Sequence, residues 1–148
     1  MGFRVLRAAD QSWRATNPLN VVNTNLTSQL GVETMTVRLW RVAPGQAIPR
    51  HRHRFQTELY LLLEGSGKIR VNHTVVSLEP MSAVVVEPHE VRQVFNDTDT
   101  DALWLIAGTP PEVFPIGADE HAAERDWLYP DGVEAVPPEL AADVDFAP

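Results

Sequence analysis

Two histidines stand two residues apart, His51 and His53, and a glutamate, Glu58, follows five positions later. On an extended chain, residues two apart face the same way, so both imidazoles can reach one point while Arg50, Arg52 and Arg54 face the other side. The guanidiniums are then left to water or to surface carboxylates. Glu58 opens the apolar run ELYLLLEG, where burying a carboxylate is costly unless a cation or a donor meets it. Two imidazoles and one carboxylate on one side of an ion, with other positions open, form the facial set that suits redox-active or hydrolytic divalent metals. The alternative is a solvated strand, with ordinary hydrogen bonds for the histidines and Glu58 at a strand end paired with Arg52 or Arg54.

The composition narrows the chemistry. With no cysteine, the chain has no disulfides and no thiolate ligands, so any metal is held by imidazole, carboxylate, amide or water. A formal net charge of −8, from 12 Lys+Arg against 20 Asp+Glu, excludes non-specific binding to nucleic acid or to acidic membrane as the main activity. The 148 residues, 44% of them hydrophobic, are enough for one core, and a single domain over residues 1–148 is expected. The segment MGFRVLRAADQSW lacks the apolar stretch of a signal peptide, and no apolar run approaches the ~18 residues of a membrane span. A cytoplasmic location is expected.

The elements that must position these residues are strands. Residues 1–30 are polar and Asn-rich, an arm with room for one short strand. From residue 31 to 108 come VETMTVRLWRV, ELYLLLEG, GKIRVN, HTVVSL, SAVVVEP, VRQVFN and ALWLIAG, separated by Pro44-Gly45, Gly65, Pro80, Pro88 and the polar turn NDTDTD. Seven short strands, evenly spaced and with no helical pattern between them, predict an all-β sandwich or barrel. Residues 109–148 form a Pro-rich tail in which ADEHAAERDWLY predicts a short helix, with Trp127 and Leu128 docking it on the barrel. His73 and His121 are expected at the surface, His89 at the barrel rim or in solvent, and Trp104 in the core.

The spacing of the first motif resembles that of the cupin superfamily. Its glycine, five residues, His-x-His, four residues, glutamate, six residues and glycine stand here as Gly45, QAIPR, His51-Arg52-His53, RFQT, Glu58, LYLLLE and Gly65. A cupin's second motif is a glycine, five residues, Pro-x-Gly, two residues, a histidine, three residues and an asparagine. Aligned on Pro88, it falls on Ser82, AVVVE, Pro88-His89-Glu90, VR, Gln93, VFN and Asp97. The usual last metal ligand is then Gln93, whose amide oxygen either completes a set of His51, His53, Glu58 and Gln93, the favoured reading, or marks a site that has lost a ligand.

The resemblance implies a double-stranded β-helix (jelly-roll) barrel with an N-terminal arm and a short C-terminal helical tail. It also implies one divalent ion (Fe, Mn, Ni or Zn) and a homodimer in which the arm is the exchanged strand. The two-residue period from Glu58 puts Tyr60 and Leu62 inside and leaves Leu59, Leu61 and Leu63 as an outer apolar patch for a partner. Phe95, sharing the parity of Gln93, is expected to close the pocket floor. Arg38 either faces the barrel with Trp40, as in cupins of similar pattern, or faces solvent with Val37 and Leu39 inside. A buried Arg38 would select a carboxylate-bearing or enolate-like compound. The expected function is a metal-dependent dioxygenase, isomerase or lyase acting on a small oxygen-rich or carboxylated substrate, with Tyr60 and Arg38 as candidate catalytic residues. The alternatives are a non-catalytic small-molecule-binding barrel with a structural or vestigial metal site, and a purely structural role for the two histidines.

Overall fold

A computed structural model describes residues 2–112 and 121–141. Each predicted apolar run is a strand: β2 (Thr36–Val42), β3 (Thr57–Glu64), β4 (Gly67–Val71), β5 (Thr74–Leu78), β6 (Ala83–Val86), β7 (Arg92–Phe95) and β8 (Ala102–Thr109). One more strand, β1 (Val22–Asn25), lies in the arm, followed directly by the short helix α1 (Leu26–Leu30). The strands form two antiparallel sheets, one in the order β1-β2-β8-β3-β6 and one in the order β5-β4-β7. This is the expected jelly-roll.

The core lies between the sheets and follows the alternation of the strands. Tyr60, Leu62, Trp104 and Ile106 point inward from the larger sheet and meet Ile69 and Val94 of the smaller one. Trp104 is fully buried, as expected, and Gly67 makes room for it, since a Cβ there would lie 2.3 Å from the indole. Gly65 turns β3 into β4 at φ +81°, where a side chain would also strike the Asp101 carbonyl, so the last glycine of the first motif is required sterically.

Within the single chain β1 pairs with β2, from Val22 opposite Arg41 to Asn25 opposite Arg38, and so extends the larger sheet. The tail carries α2 (Ala122–Leu128) and α3 (Pro138–Ala141). The start of the predicted tail helix and the Pro115-Ile116-Gly117 stop before it lie outside the described residues. Trp127 docks α2 as expected, and the arginines explain how. The guanidinium carbons of Arg52 and Arg54 each lie 4.0 Å from the centre of its ring, while Arg50 pairs with Asp131 at 2.7 Å. No described helix is long and apolar enough to cross a membrane.

Candidate metal centre

His51 and His53 sit on the irregular segment between β2 and β3, and Glu58 sits near the start of β3. The three offer ligand atoms within 4.8 Å of one another, with Glu58 and His53 buried. His51 Nε2 lies 3.3 Å and His53 Nε2 2.9 Å from the same carboxylate oxygen, Oε1 of Glu58.

The protonation pattern follows from the opposite ring nitrogens. His51 Nδ1 lies 2.8 Å from the Pro49 carbonyl, which can only accept, so Nδ1 carries the proton and Nε2 keeps its lone pair in the neutral ring. His53 Nδ1 lies 3.2 Å from Glu112 Oε2, which fixes its tautomer in the same way. Two imidazole lone pairs therefore converge on an anionic oxygen. Two ligand atoms at right angles, each about 2.1 Å from an ion, are about 3.0 Å apart, so the observed separations fit neighbouring ligands of one cation. The residues present fit a divalent metal with three protein donors.

In the metal-free protein burial alone would raise the Glu58 carboxyl, but whenever the His51 and His53 rings are protonated at Nε2 as well, their hydrogen bonds and charges outweigh it and hold the group well below the usual carboxylate range. Burial pushes the His51 imidazole below its ordinary value, against the pull of Glu58. The Tyr60 hydroxyl donates to Glu58 Oε1 at 2.8 Å, and burial, reinforced by the Glu58 charge, raises it well above its normal range. Tyr60 is therefore a hydrogen-bond donor that keeps its proton at neutral pH.

Two residues at the centre were not expected from the sequence. Glu112, in the segment after β8, also accepts from the backbone N–H groups of Arg54 (3.0 Å), Phe55 and Gln56 (2.7 Å). These hydrogen bonds overcome its partial burial and lower its pKa. The second is Arg92, fully buried, whose Nε lies 3.5 Å from Glu58 Oε1.

Arg92 corrects the reading of the second motif. His51 and Arg92 are directly opposed and exchange both backbone hydrogen bonds, at 3.0 and 2.8 Å, so their side chains share a face. Arg92 and Val94 share one face of β7, and Gln93 and Phe95, also fully buried, lie on the opposite face. Gln93 lies opposite Arg70 and Phe95 opposite Lys68, and the Gln93 amide donates to the Ile48 and Ala135 carbonyls at 3.0 and 2.8 Å. The structure thus does not bring Gln93 to the metal group, nor Phe95 to the pocket floor.

The backbone shows where the alignment slipped. Met81 and His89 both have φ +74°, eight residues apart, and the motif's two glycines have that spacing. Shifting the motif back by one places Arg92 on the histidine and Asn96 on the asparagine. Asn96 is buried and donates to the Val42 and Thr100 carbonyls at 2.9 and 2.7 Å.

A cavity of about 520 Å³ opens onto His51, Glu58 and Tyr60. Trp40 and Ile106 give it an apolar side, and the arm and α1 give it a polar wall of Asn17, Asn23, Asn25, Ser28 and Gln29. Arg38 lies on this inner surface, so the inward register holds. It donates to Asn23 Oδ1 at 3.1 Å, and burial lowers its pKa. Arg14 is the second cation on the wall, and Tyr129, just past α2, closes the cavity beside His51. His89 lies on an exposed turn with its Nε2 on the Arg54 carbonyl at 3.1 Å, and His73 and His121 are exposed.

Residues 38–108 match the family model described as Cupin domain. No curated protein matches the chain. Among solved structures, the chain is similar to a sugar phosphate isomerase from a cupin superfamily of Silicibacter pomeroyi, at 22% identity and a TM-score of 0.66 over 73% of this chain and 76% of that one. It is similar to a predicted oxalate decarboxylase from Thermotoga maritima at 17% identity, a TM-score of 0.65 and 73% and 100% coverage. It is also similar to KdgF from Halomonas sp. at 13% identity, a TM-score of 0.64 and 74% and 96% coverage. At these identities the likeness shows the fold.

Proposed function

The chain belongs to the cupin superfamily, and on that premise we propose that it is a metal-dependent enzyme acting on a small, anionic, oxygen-rich compound, by isomerase or lyase chemistry next to a carbonyl. The convergence of His51 Nε2 and His53 Nε2 on Glu58 Oε1 carries this reading. His51, His53 and Glu58 would hold the ion, which would supply Lewis acidity toward an enolate-like charge. The chain's own groups do the rest. The Asn-rich wall and the Arg14 and Arg38 guanidiniums suit hydroxyls and a carboxylate or phosphate, and Trp40 offers a flat apolar surface. Tyr60 holds the Glu58 carboxylate in place and presents its hydroxyl to the cavity. The names of the similar proteins, a sugar phosphate isomerase and a predicted oxalate decarboxylase, agree with such a substrate class.

A second reading, a non-catalytic binding barrel, is favoured by one observation. The Arg92 guanidinium beside Glu58 supplies the carboxylate with a positive partner without a metal. Metal content decides between the two readings. Protein purified without chelator or nickel affinity should carry about one equivalent of iron, manganese, nickel or zinc, and the His51→Ala, His53→Ala double variant should carry none. The loaded protein should then turn over a member of a panel of sugar phosphates and sugar acids, followed by NMR. Absence of metal from the parent, even after anaerobic reconstitution with Fe(II) and Mn(II), would leave the binding barrel.

The outer face of the five-stranded sheet is proposed to be covered by a second copy of the chain. Leu59 and Val85 lie directly opposite each other there and are exposed, with Leu61 opposite Leu105 and Leu39 beside them. An apolar face of this kind is a normal feature of a subunit interface.

A further inference from the structure

The position that a cupin normally gives to its last metal-binding histidine holds an arginine here, and this residue is built into the centre. Arg92 shares a face with His51, its Nη2 donates to the Val86 and Glu87 carbonyls at 3.4 and 3.2 Å, and its Nε lies 3.5 Å from Glu58 Oε1. Its Nη1 is buried without a hydrogen-bond partner among the described residues. A guanidinium has no lone pair to give a metal and does not lose its proton. It therefore occupies the ligand's place with a fixed positive charge.

We infer that Arg92 acts as a resident cation on Glu58 that lowers the metal affinity of the site and keeps it a three-ligand centre. The inference rests on the metal-dependent reading above and deepens it. With a metal bound, Arg92 would offset the Glu58 charge, leaving the ion's two positive charges to be met by what enters the cavity. The centre then favours an anionic ligand on its open positions, in keeping with Arg14 and Arg38 on the wall. Without a metal, Arg92 and Tyr60 hold the carboxylate in its ligating orientation.

Dissociation constants for Mn(II) and Zn(II), measured by calorimetry with a competing chelator, test this on the intact chain. Arg92→His removes the charge and adds a lone pair on the correct face, and should tighten binding by about tenfold or more. Gln93→His, on the opposite face, should leave it unchanged. Arg92→Lys, which keeps the charge as an ammonium without a lone pair, should stay near the parent. Should Arg92→His fail to fold, Arg92→Met removes the charge without adding a nitrogen ligand and should tighten binding by a smaller factor. Equal or weaker affinity in a folded Arg92→His or Arg92→Met protein overturns the inference, as does tightening in Gln93→His. A parent that binds no metal beside an Arg92→His protein that binds one equivalent would uphold the role of Arg92 and overturn the metal-dependent reading.

Discussion

His53 Nδ1 and Glu112 Oε2 meet at 3.2 Å although 59 residues separate them in sequence. The carboxylate is anchored by three successive backbone N–H groups of the loop that carries the histidine, so it fixes both the ring tautomer and the loop. Partners of this kind orient metal ligands, and their loss costs about 10–100-fold in metal affinity. Glu112→Ala should show a loss of that size and Glu112→Gln a smaller one, measured by metal titration beside thermal melting. A lower melting temperature with unchanged metal affinity would make Glu112 a purely structural anchor.

Acid should destabilise the metal-free protein in two stages. The folded state depresses the Glu58 carboxyl below its ordinary 4.5 and the His51 imidazole below its ordinary 6.5. For each group the unfolded chain takes up its proton first, so the stability it contributes is complete above its ordinary value and falls as pH drops toward the folded one. Loss from His51 begins as pH falls through about 6.5 and loss from Glu58 below about 4.5. Urea midpoints from pH 8 down to about 3, in chelator, should fall with acidification. His51→Gln should flatten the upper stage and shrink the lower one, because His51 is one of the two groups that hold the Glu58 carboxyl down. A midpoint that rises on acidification would contradict both assignments.

The strands and the first motif were legible because each strand is an apolar run closed by glycine, proline or a polar turn, and because His51, His53 and Glu58 keep fixed distances along the chain. The second motif was not. With Met81 and His89 where glycines belong, two anchors remained, Pro88 and Asn96, and they specify registers one residue apart. A slip of one residue exchanges the faces of a strand, so the choice of Pro88 turned Gln93 inward and hid Arg92. Glu112 left no local signal, because its contact with His53 arises only when β8 returns beside β3 and carries the following segment to the loop. For Arg38, either parity of TVRLWRV buries apolar residues. The inward choice depends on β8, which sets Arg38 opposite Ile106.

Trp127 is held between the Arg52 and Arg54 guanidiniums, and the Arg52 N–H donates to the Leu128 carbonyl at 2.9 Å. This junction fixes α2 and with it Tyr129 on the cavity wall. Each guanidinium–indole contact contributes about 0.5–1 kcal/mol, so Trp127→Ala should cost about 1–2 kcal/mol through them, with part regained in Trp127→Phe. Urea unfolding gives the stability, and hydrogen exchange over residues 122–129 gives the local effect. Exchange unchanged from the parent would mean that α2 is held elsewhere.

The outer sheet face sets the last prediction. Val85 is 56% and Leu59 37% exposed, whereas Glu58 and Tyr60, the neighbours of Leu59 on β3, are buried. The alternation of β3 is therefore apolar on both sides, and a strand of that kind needs cover on both. Leu59→Arg places a charge at the centre of the face without touching the inner surface. In sedimentation equilibrium the parent should run at twice the chain mass and Leu59→Arg at the chain mass, with metal affinity unchanged because the ligands lie across the sheet. A parent at the chain mass up to high micromolar concentration would remove the second copy as the occupant of this face.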